Sequence, residues 1–195
     1  FQSIPPEYAI RQTPSGYPTL SVRGTLIHSR YNPDRDAHRT ISLNGLFSRD
    51  GCFFAGCGLA YIPELYAQRY PSADLVIAEP DIFIFLSCLA ARPVDRLLNH
   101  PSLVLAIGIP PGDVLTLLEQ TGRNDLPRYE APPLMASSQP WWNEFALLRE
   151  RNRKKRQINS NTLKRFGRRW LRNMCRNLPV ITHLRGIEEL AGLAA

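Results

Sequence analysis

The chain has 195 residues, 44% of them hydrophobic, and a formal net charge of +7. That suits one packed domain with an appendage better than two full domains. No apolar run reaches the roughly 18–20 residues of a transmembrane helix, and the N-terminus lacks the basic start and apolar block of a secretory signal.

Residues 1–18 are rich in proline and polar groups and read as an N-terminal arm. Thr19 to Ser29 alternates around Gly24 and predicts two short strands with a turn. Asn32 and Pro33 then open a helix, Asn32 as its cap and Pro33 at its first position, running to about Phe47. Next comes a regular alternation. Cys52–Cys57 is an apolar strand, and a helix runs from Gly58 to about Tyr70. Leu75–Ala78 is a second buried strand, followed by a helix over Asp81–Ala91. Leu103–Ile107 is a third strand and Pro111–Gln120 a third helix. Continuous apolar strands alternating with helices predict an α/β domain: a Rossmann-like, mostly parallel sheet with helices on both faces. Gly122–Pro140 is loop-like, with an edge strand near Tyr129.

From Trp141 onward the composition changes. Residues 141–195 hold 13 Lys+Arg and 4 Asp+Glu, a balance of +9, whereas residues 1–140 hold 11 and 13, a balance of −2. A helix over Trp141–Gln157 is expected, then a break at Asn159-Ser160-Asn161. A second helix over Leu163–Leu178 should end at Pro179. The domain limits are therefore 1–18 for the arm, 19–140 for the Rossmann-like domain and 141–195 for a basic helical extension. Leu163, Phe166, Trp170, Leu171, Met174 and Leu178 form an apolar stripe. Packing would leave Phe166, Trp170 and Met174 mostly buried, with Arg165, Arg168, Arg169 and Arg172 exposed. The other readings of this basic surface are a groove for an anionic sugar nucleotide, or binding to nucleic acid or an anionic membrane surface. Nucleic acid is the less favoured partner, and no membrane span is expected.

The segment richest in chemistry is Gly56-Cys57-Gly58-Leu59, which leaves a buried strand and enters a helix. Two glycines permit a tight turn and close approach of backbone to a ligand, and the helix N-terminus offers free N–H groups. Glu79 follows 21 residues after Gly58, where dinucleotide and S-adenosylmethionine folds place an acid for the ribose hydroxyls. Tyr61 stands where the dinucleotide fingerprint has its third glycine. On the plainer reading Gly56 and Gly58 only shape a strand-to-helix turn, and Glu79 and Asp81 cap the next helix. His28, Arg30 and Tyr31 precede the first long helix, and Arg30 suits a phosphate or carboxylate. The candidate ligand-binding residues are therefore Gly56, Cys57, Gly58, Leu59, Glu79, Asp81, His28, Arg30 and Tyr31. No catalytic constellation and no metal cluster can be assembled. Cys52, Cys57, Cys88 and Cys175 form no CxxC pair, which points to reduced thiols and a cytoplasmic compartment.

Taken together, Tyr17-Pro18-Thr19-Leu20, His28-Ser29-Arg30-Tyr31-Asn32-Pro33-Asp34, Ala55-Gly56-Cys57-Gly58-Leu59-Ala60-Tyr61 and Ala78-Glu79-Pro80-Asp81 resemble the N-terminal domain of motility accessory factor (Maf) proteins. That domain is similar to the archaeal 6-hydroxymethylpterin diphosphokinase. Trp170-Leu171-Arg172-Asn173 and Arg176-Asn177-Leu178-Pro179 resemble the helices that join it to the next domain. The resemblance implies a Rossmann-like part of a glycosyltransferase-related protein that transfers nonulosonic sugars to flagellin. It further implies a cofactor of the sugar-nucleotide type and, as partners, a downstream domain of the same parent chain and flagellin. The family's glycine-rich catalytic motif lies beyond a point like Ala195, so residues 1–195 are expected to be a portion of a longer chain without turnover of their own. The alternatives are an S-adenosylmethionine-dependent methyltransferase and a non-catalytic scaffold that docks a partner through its basic extension.

Overall fold

The computed structural model describes residues 3–43, 45, 47 and 49–181. The chain divides into two units, one to Leu148 and one from Arg149. The first begins with three antiparallel strands, β1 (Tyr8–Gln12), β2 (Pro18–Val22) and β3 (Thr25–Leu26), in the order β1-β2-β3. Strand β1 lies within the segment whose composition reads as an arm. Its N–H and C=O groups pair with β2 in a register that sets Tyr8 opposite Val22. Arg23 and Gly24, both at positive φ, make the turn between β2 and β3.

Helix α1 (Pro33–Leu43) starts where the sequence signals it, with the Arg35 N–H donating to Asn32 Oδ1 at 2.9 Å. The α/β alternation follows: β4 (Gly51–Ala55), α2 (Tyr61–Arg69), β5 (Asp74–Glu79), α3 (Ile82–Ala91), a short α4 (Asp95–Leu98), β6 (Leu103–Ile107), α5 (Pro111–Gln120), β7 (Arg128–Glu130) and α6 (Pro132–Ser137). The four strands β4 to β7 form an all-parallel sheet in the order β6-β5-β4-β7. The architecture is thus α/β, with a Rossmann-like parallel sheet flanked by helices.

Both faces of this sheet are covered, which is why its strands read as unbroken apolar runs. Successive side chains alternate between two cores. Cys52, Phe54, Leu75 and Ile77 pack on one side with Tyr66 and Ile84. Phe53, Ala55, Val76 and Ala78 pack on the other with Val114, Leu118, Trp142 and Phe145. Each buried Val, Leu, Ile or Phe side chain among them contributes about 1.5–3 kcal/mol. The antiparallel sheet is fastened to this body by polar groups. Tyr8 donates its hydroxyl to Asp81 Oδ2 at 2.6 Å, and Tyr61 donates its hydroxyl to the Pro18 carbonyl at 2.7 Å.

Helix α7 (Gln139–Ile181) is continuous, which corrects the expected break at Asn159-Ser160-Asn161 and the stop at Pro179. Asn and Ser each cost only about half a kcal/mol relative to Ala inside a helix, less than the penalty of nucleating a second one. The turns of α7 up to Leu148 belong to the first unit. In the second unit the expected burial is not found. Trp170 is 53% and Met174 56% exposed, and Phe166 is half-buried. Arg165, Arg168, Arg169 and Arg172 are exposed. An amphipathic pattern records which face is apolar, but not whether anything in the same unit covers it. No helix among the described residues is long and apolar enough to cross a membrane.

Candidate functional site

The order β6-β5-β4-β7 places the first strand of the parallel sheet, β4, between β5 and β7. The chain moves outward one way through β5 and β6, then returns to pair β7 on the other side of β4. The point between β4 and β7 is therefore the topological switch of the sheet, and open α/β folds bind ligands outside the strand C-termini there.

The glycine turn leaves β4 at this point. Gly56 has φ of 91° and donates its N–H to the Ala78 carbonyl at 2.7 Å, extending the pairing of β4 with β5 by one residue. Gly58 has φ of 53°, and a Cβ there would stand 2.5 Å from His28 Nε2. Even Ala60 is left-handed, with φ of 58°. So tight a turn leaves its N–H groups pointing inward, where they need acceptors.

The protein supplies those acceptors itself. Glu79 Oε2 accepts the Cys57 N–H at 3.0 Å, His28 Nε2 accepts the Leu59 N–H at 2.6 Å, and the Cys57 carbonyl accepts the Ala60 N–H at 2.8 Å. Glu79 Oε1 accepts the Asp81 N–H at 3.1 Å. Two of the donors that a phosphate would use, the Cys57 and Leu59 N–H groups, are thus held by Glu79 and His28. Pro63, at the third position of α2, has no N–H to offer, and the Glu64 N–H is bound to the Ala60 carbonyl. Arg92 completes the surroundings. Its guanidinium donates to the Leu59 carbonyl and to Glu64 Oε2, both at 2.7 Å, and lies 3.8 Å over the Tyr61 ring.

Burial sets the charge states. Glu79 is 2% exposed, and loss of hydration pushes its pKa up to about 7, against the opposing pull of the Cys57 and Asp81 N–H groups. Burial, helped by the Arg92 charge, lowers His28 to about 3, so the ring is neutral. With Nε2 accepting, its proton resides on Nδ1. Burial and the adjacent Glu79 raise the Cys57 thiol well above its ordinary range, the opposite of what a thiolate nucleophile requires. No cluster of three or more His, Cys, Asp or Glu suited to a metal occurs among the described residues.

Beside the turn opens a cleft of about 210 Å³. Gly56 and Cys57 line it from the end of β4, and Leu134 from the segment after β7. Ile27 and His28 line it from behind β3, and Asp36 from α1. Most of the lining is apolar. Of the residues singled out from sequence, Gly56, Cys57 and His28 reach the cleft, whereas Gly58, Leu59 and Glu79 are not among its lining residues. Asp81 caps α3, accepting the Phe83 N–H at 2.9 Å, and accepts the Tyr8 hydroxyl. Arg30 and Tyr31 are exposed beyond the lining residue Ser29, with the guanidinium 4.8 Å over the Tyr31 ring.

Over 197 aligned positions the chain is 36% identical to a protein of Treponema pallidum (strain Nichols) described as uncharacterized, an alignment that takes in all of this chain and 68% of that protein. The chain belongs to the family of that Treponema pallidum protein. No protein-family model matches the chain, and no solved structure matches it.

Sequence reasoning missed several residues of the cleft. Asp36, Thr40, Tyr129 and Leu134 line it, yet none belongs to a recognisable motif. Asp36 and Thr40 lie one turn apart on the inner side of α1, and that spacing is the one signal available for them. Tyr129 and Leu134 reach the cleft only because β7 pairs beside β4.

Proposed function

We propose that this chain is the Rossmann-like, ligand-binding part of a transferase related to the Maf-type glycosyltransferases, and that its cleft receives one ring of a sugar-nucleotide ligand. The observation that carries this reading is the cleft's position between the ends of β4 and β7, at the switch point of the sheet. Its size decides what can enter. Ligand pockets for whole drug-sized molecules span about 300–1,000 Å³, so about 210 Å³ suits a single base or sugar ring. The phosphates would remain outside, because the Cys57 and Leu59 N–H groups of the turn are engaged by Glu79 and His28. Arg30, exposed one residue past Ser29, is the charge offered to them.

The same bonds weigh against the S-adenosylmethionine reading. That chemistry needs an acid presented to the ribose, and both oxygens of Glu79 already accept backbone N–H groups at 2% exposure. Transfer of nonulosonic sugars to flagellin, with a downstream domain of the parent chain, is the activity this reading carries with it. Buried, unpaired Cys52, Cys57 and Cys88 support a cytoplasmic setting.

Calorimetric titration with a panel of sugar nucleotides and with S-adenosylmethionine tests the reading. Sugar-nucleotide binding should be lost in Ala131→Trp, which fills the cleft and should stay folded by circular dichroism, and weakened in Arg30→Ala, whose thermal midpoint should not change. Binding indifferent to Ala131→Trp, or tight S-adenosylmethionine binding abolished by Glu79→Ala, would overturn it.

A further inference from the structure

In the second unit, the part of α7 from Leu163 to Leu178 carries an apolar face, broken only by Gly167 and Asn177, and a basic face, broken only by Cys175. At about 100° per residue, Phe166, Trp170, Leu163, Met174, Leu178 and Leu171 fall in one arc of roughly 140°. Lys164, Arg168, Arg172, Arg165, Arg176 and Arg169 fill an adjoining arc of about the same width. From Arg151 to Leu178 the chain has no Asp or Glu. Leu163, Trp170, Leu171, Met174 and Leu178 are each more than half exposed. Phe166 stacks on Trp170 with ring centroids 6.0 Å apart, so the aromatic pair forms one flat apolar patch.

We propose that this helix lies on an anionic lipid surface, with its apolar arc sunk into the boundary between headgroups and acyl chains and its arginines on the lipid phosphates. Charge complementarity selects this occupant. A nucleic acid would neutralise the basic arc but leave the Trp170, Leu171 and Met174 side chains in water. A second copy of the helix would cover the apolar arc but bring six like charges on each helix alongside six others. A membrane surface satisfies both arcs at once, because anionic headgroups and acyl chains meet within one helix diameter. The pairing of Trp and Leu on one face with Arg on the other, at low mean hydropathy, is the pattern of a helix that lies in the interface and does not span it. The polar arginines also explain how so much apolar surface is carried without an apolar run long enough to cross the bilayer.

The test is co-sedimentation of the full chain with vesicles of phosphatidylcholine alone and of phosphatidylcholine mixed with phosphatidylglycerol. Binding is expected to the mixed vesicles and to be much weaker on the neutral ones. A blue shift of the fluorescence should accompany it and disappear in Trp170→Phe. Leu171→Glu/Met174→Glu should abolish binding. Arg168→Ala/Arg172→Ala should weaken it roughly 25-fold, at about fivefold per basic residue near an anionic surface. All four side chains are exposed, so the thermal midpoint should not change. Failure to bind the anionic vesicles would overturn the proposal. So would tight binding of a DNA or RNA duplex that survives Leu171→Glu/Met174→Glu, which would make the helix a polyanion site. Self-association abolished by the same pair of substitutions would overturn it too, by making a second copy the occupant.

Discussion

His28 Nε2 lies 2.6 Å from the Leu59 nitrogen, and the absent side chain of Gly58 is what lets the ring come so close. The histidine behaves as a fixed acceptor built into the glycine turn, occupying a donor that the same turn in a nucleotide-binding fold would give to phosphate.

Gly58→Ala should therefore cost more than an ordinary glycine substitution. The new Cβ would meet the His28 ring at 2.5 and 2.7 Å and Ile27 Cγ2 at 3.2 Å, at a φ of 53°. Together the clash and the left-handed backbone predict a loss of about 2–4 kcal/mol in denaturant unfolding. Gly56→Ala, whose new Cβ would first meet the Leu134 side chain at 3.0–3.3 Å, should cost less. A change in Gly58→Ala within the ~0.5 kcal/mol typical of surface positions would contradict this account.

Glu79 makes stability fall as pH rises. Its folded pKa is raised from 4.5 to about 7. Between those values the folded protein holds a proton that the unfolded chain has lost. The contribution is therefore fully present below about pH 4.5 and is lost as pH climbs to about 7, with a size on the order of 3 kcal/mol. Urea melts of the chain and of Glu79→Gln across this window should diverge. The variant should lack the decline attributable to this carboxyl, while starting lower because an amide cannot accept both the Cys57 and Asp81 N–H groups. Parallel pH profiles would refute the assignment.

Arg92→Met is expected to destabilise by about 3 kcal/mol. Methionine keeps much of the bulk over Tyr61. It leaves the buried Glu64 carboxylate without its guanidinium, and the Leu59 carbonyl without its donor. Adding Glu64→Gln to the variant should recover part of the loss, since the uncompensated charge then goes. No recovery would mean that the ring contact carries the effect.

Tyr61→Phe removes the bond that ties α2 to the Pro18 carbonyl of the antiparallel sheet. The ring, its packing and the Arg92 stack remain. The expected cost is about 1 kcal/mol, accompanied by faster hydrogen exchange in β1 and β2 than in β4 and β5. Uniform loss of protection across both sheets would argue that they open as one unit.

Much of the architecture was legible in the chain. The runs Cys52–Cys57, Leu75–Ala78 and Leu103–Ile107 identified the central strands because a strand buried on both faces has no polar alternation. Asn32-Pro33 and Asp81 marked helix starts through local hydrogen bonding alone. The three-residue edge strand β7 was only hinted at, since its pairing with β4 depends on residues more than seventy positions away in sequence. Strand β1 was hidden by its proline-rich neighbours, for its partners come from β2. The break expected at Asn159-Ser160-Asn161 misread weak propensity as a boundary.

The site divides along the same line. Sequence by itself determined that a strand-to-helix turn with two glycines, an acid 21 residues on and a histidine upstream exist in this protein, because each is a matter of residue type and spacing. Only the tertiary structure decided what those groups do. His28 and Glu79 lie 31 and 22 residues from the Leu59 and Cys57 N–H groups of the turn that they accept. Buried donors take the nearest acceptor that folding brings within about 3 Å, and that proximity is a property of the packed sheets and not of the intervening chain.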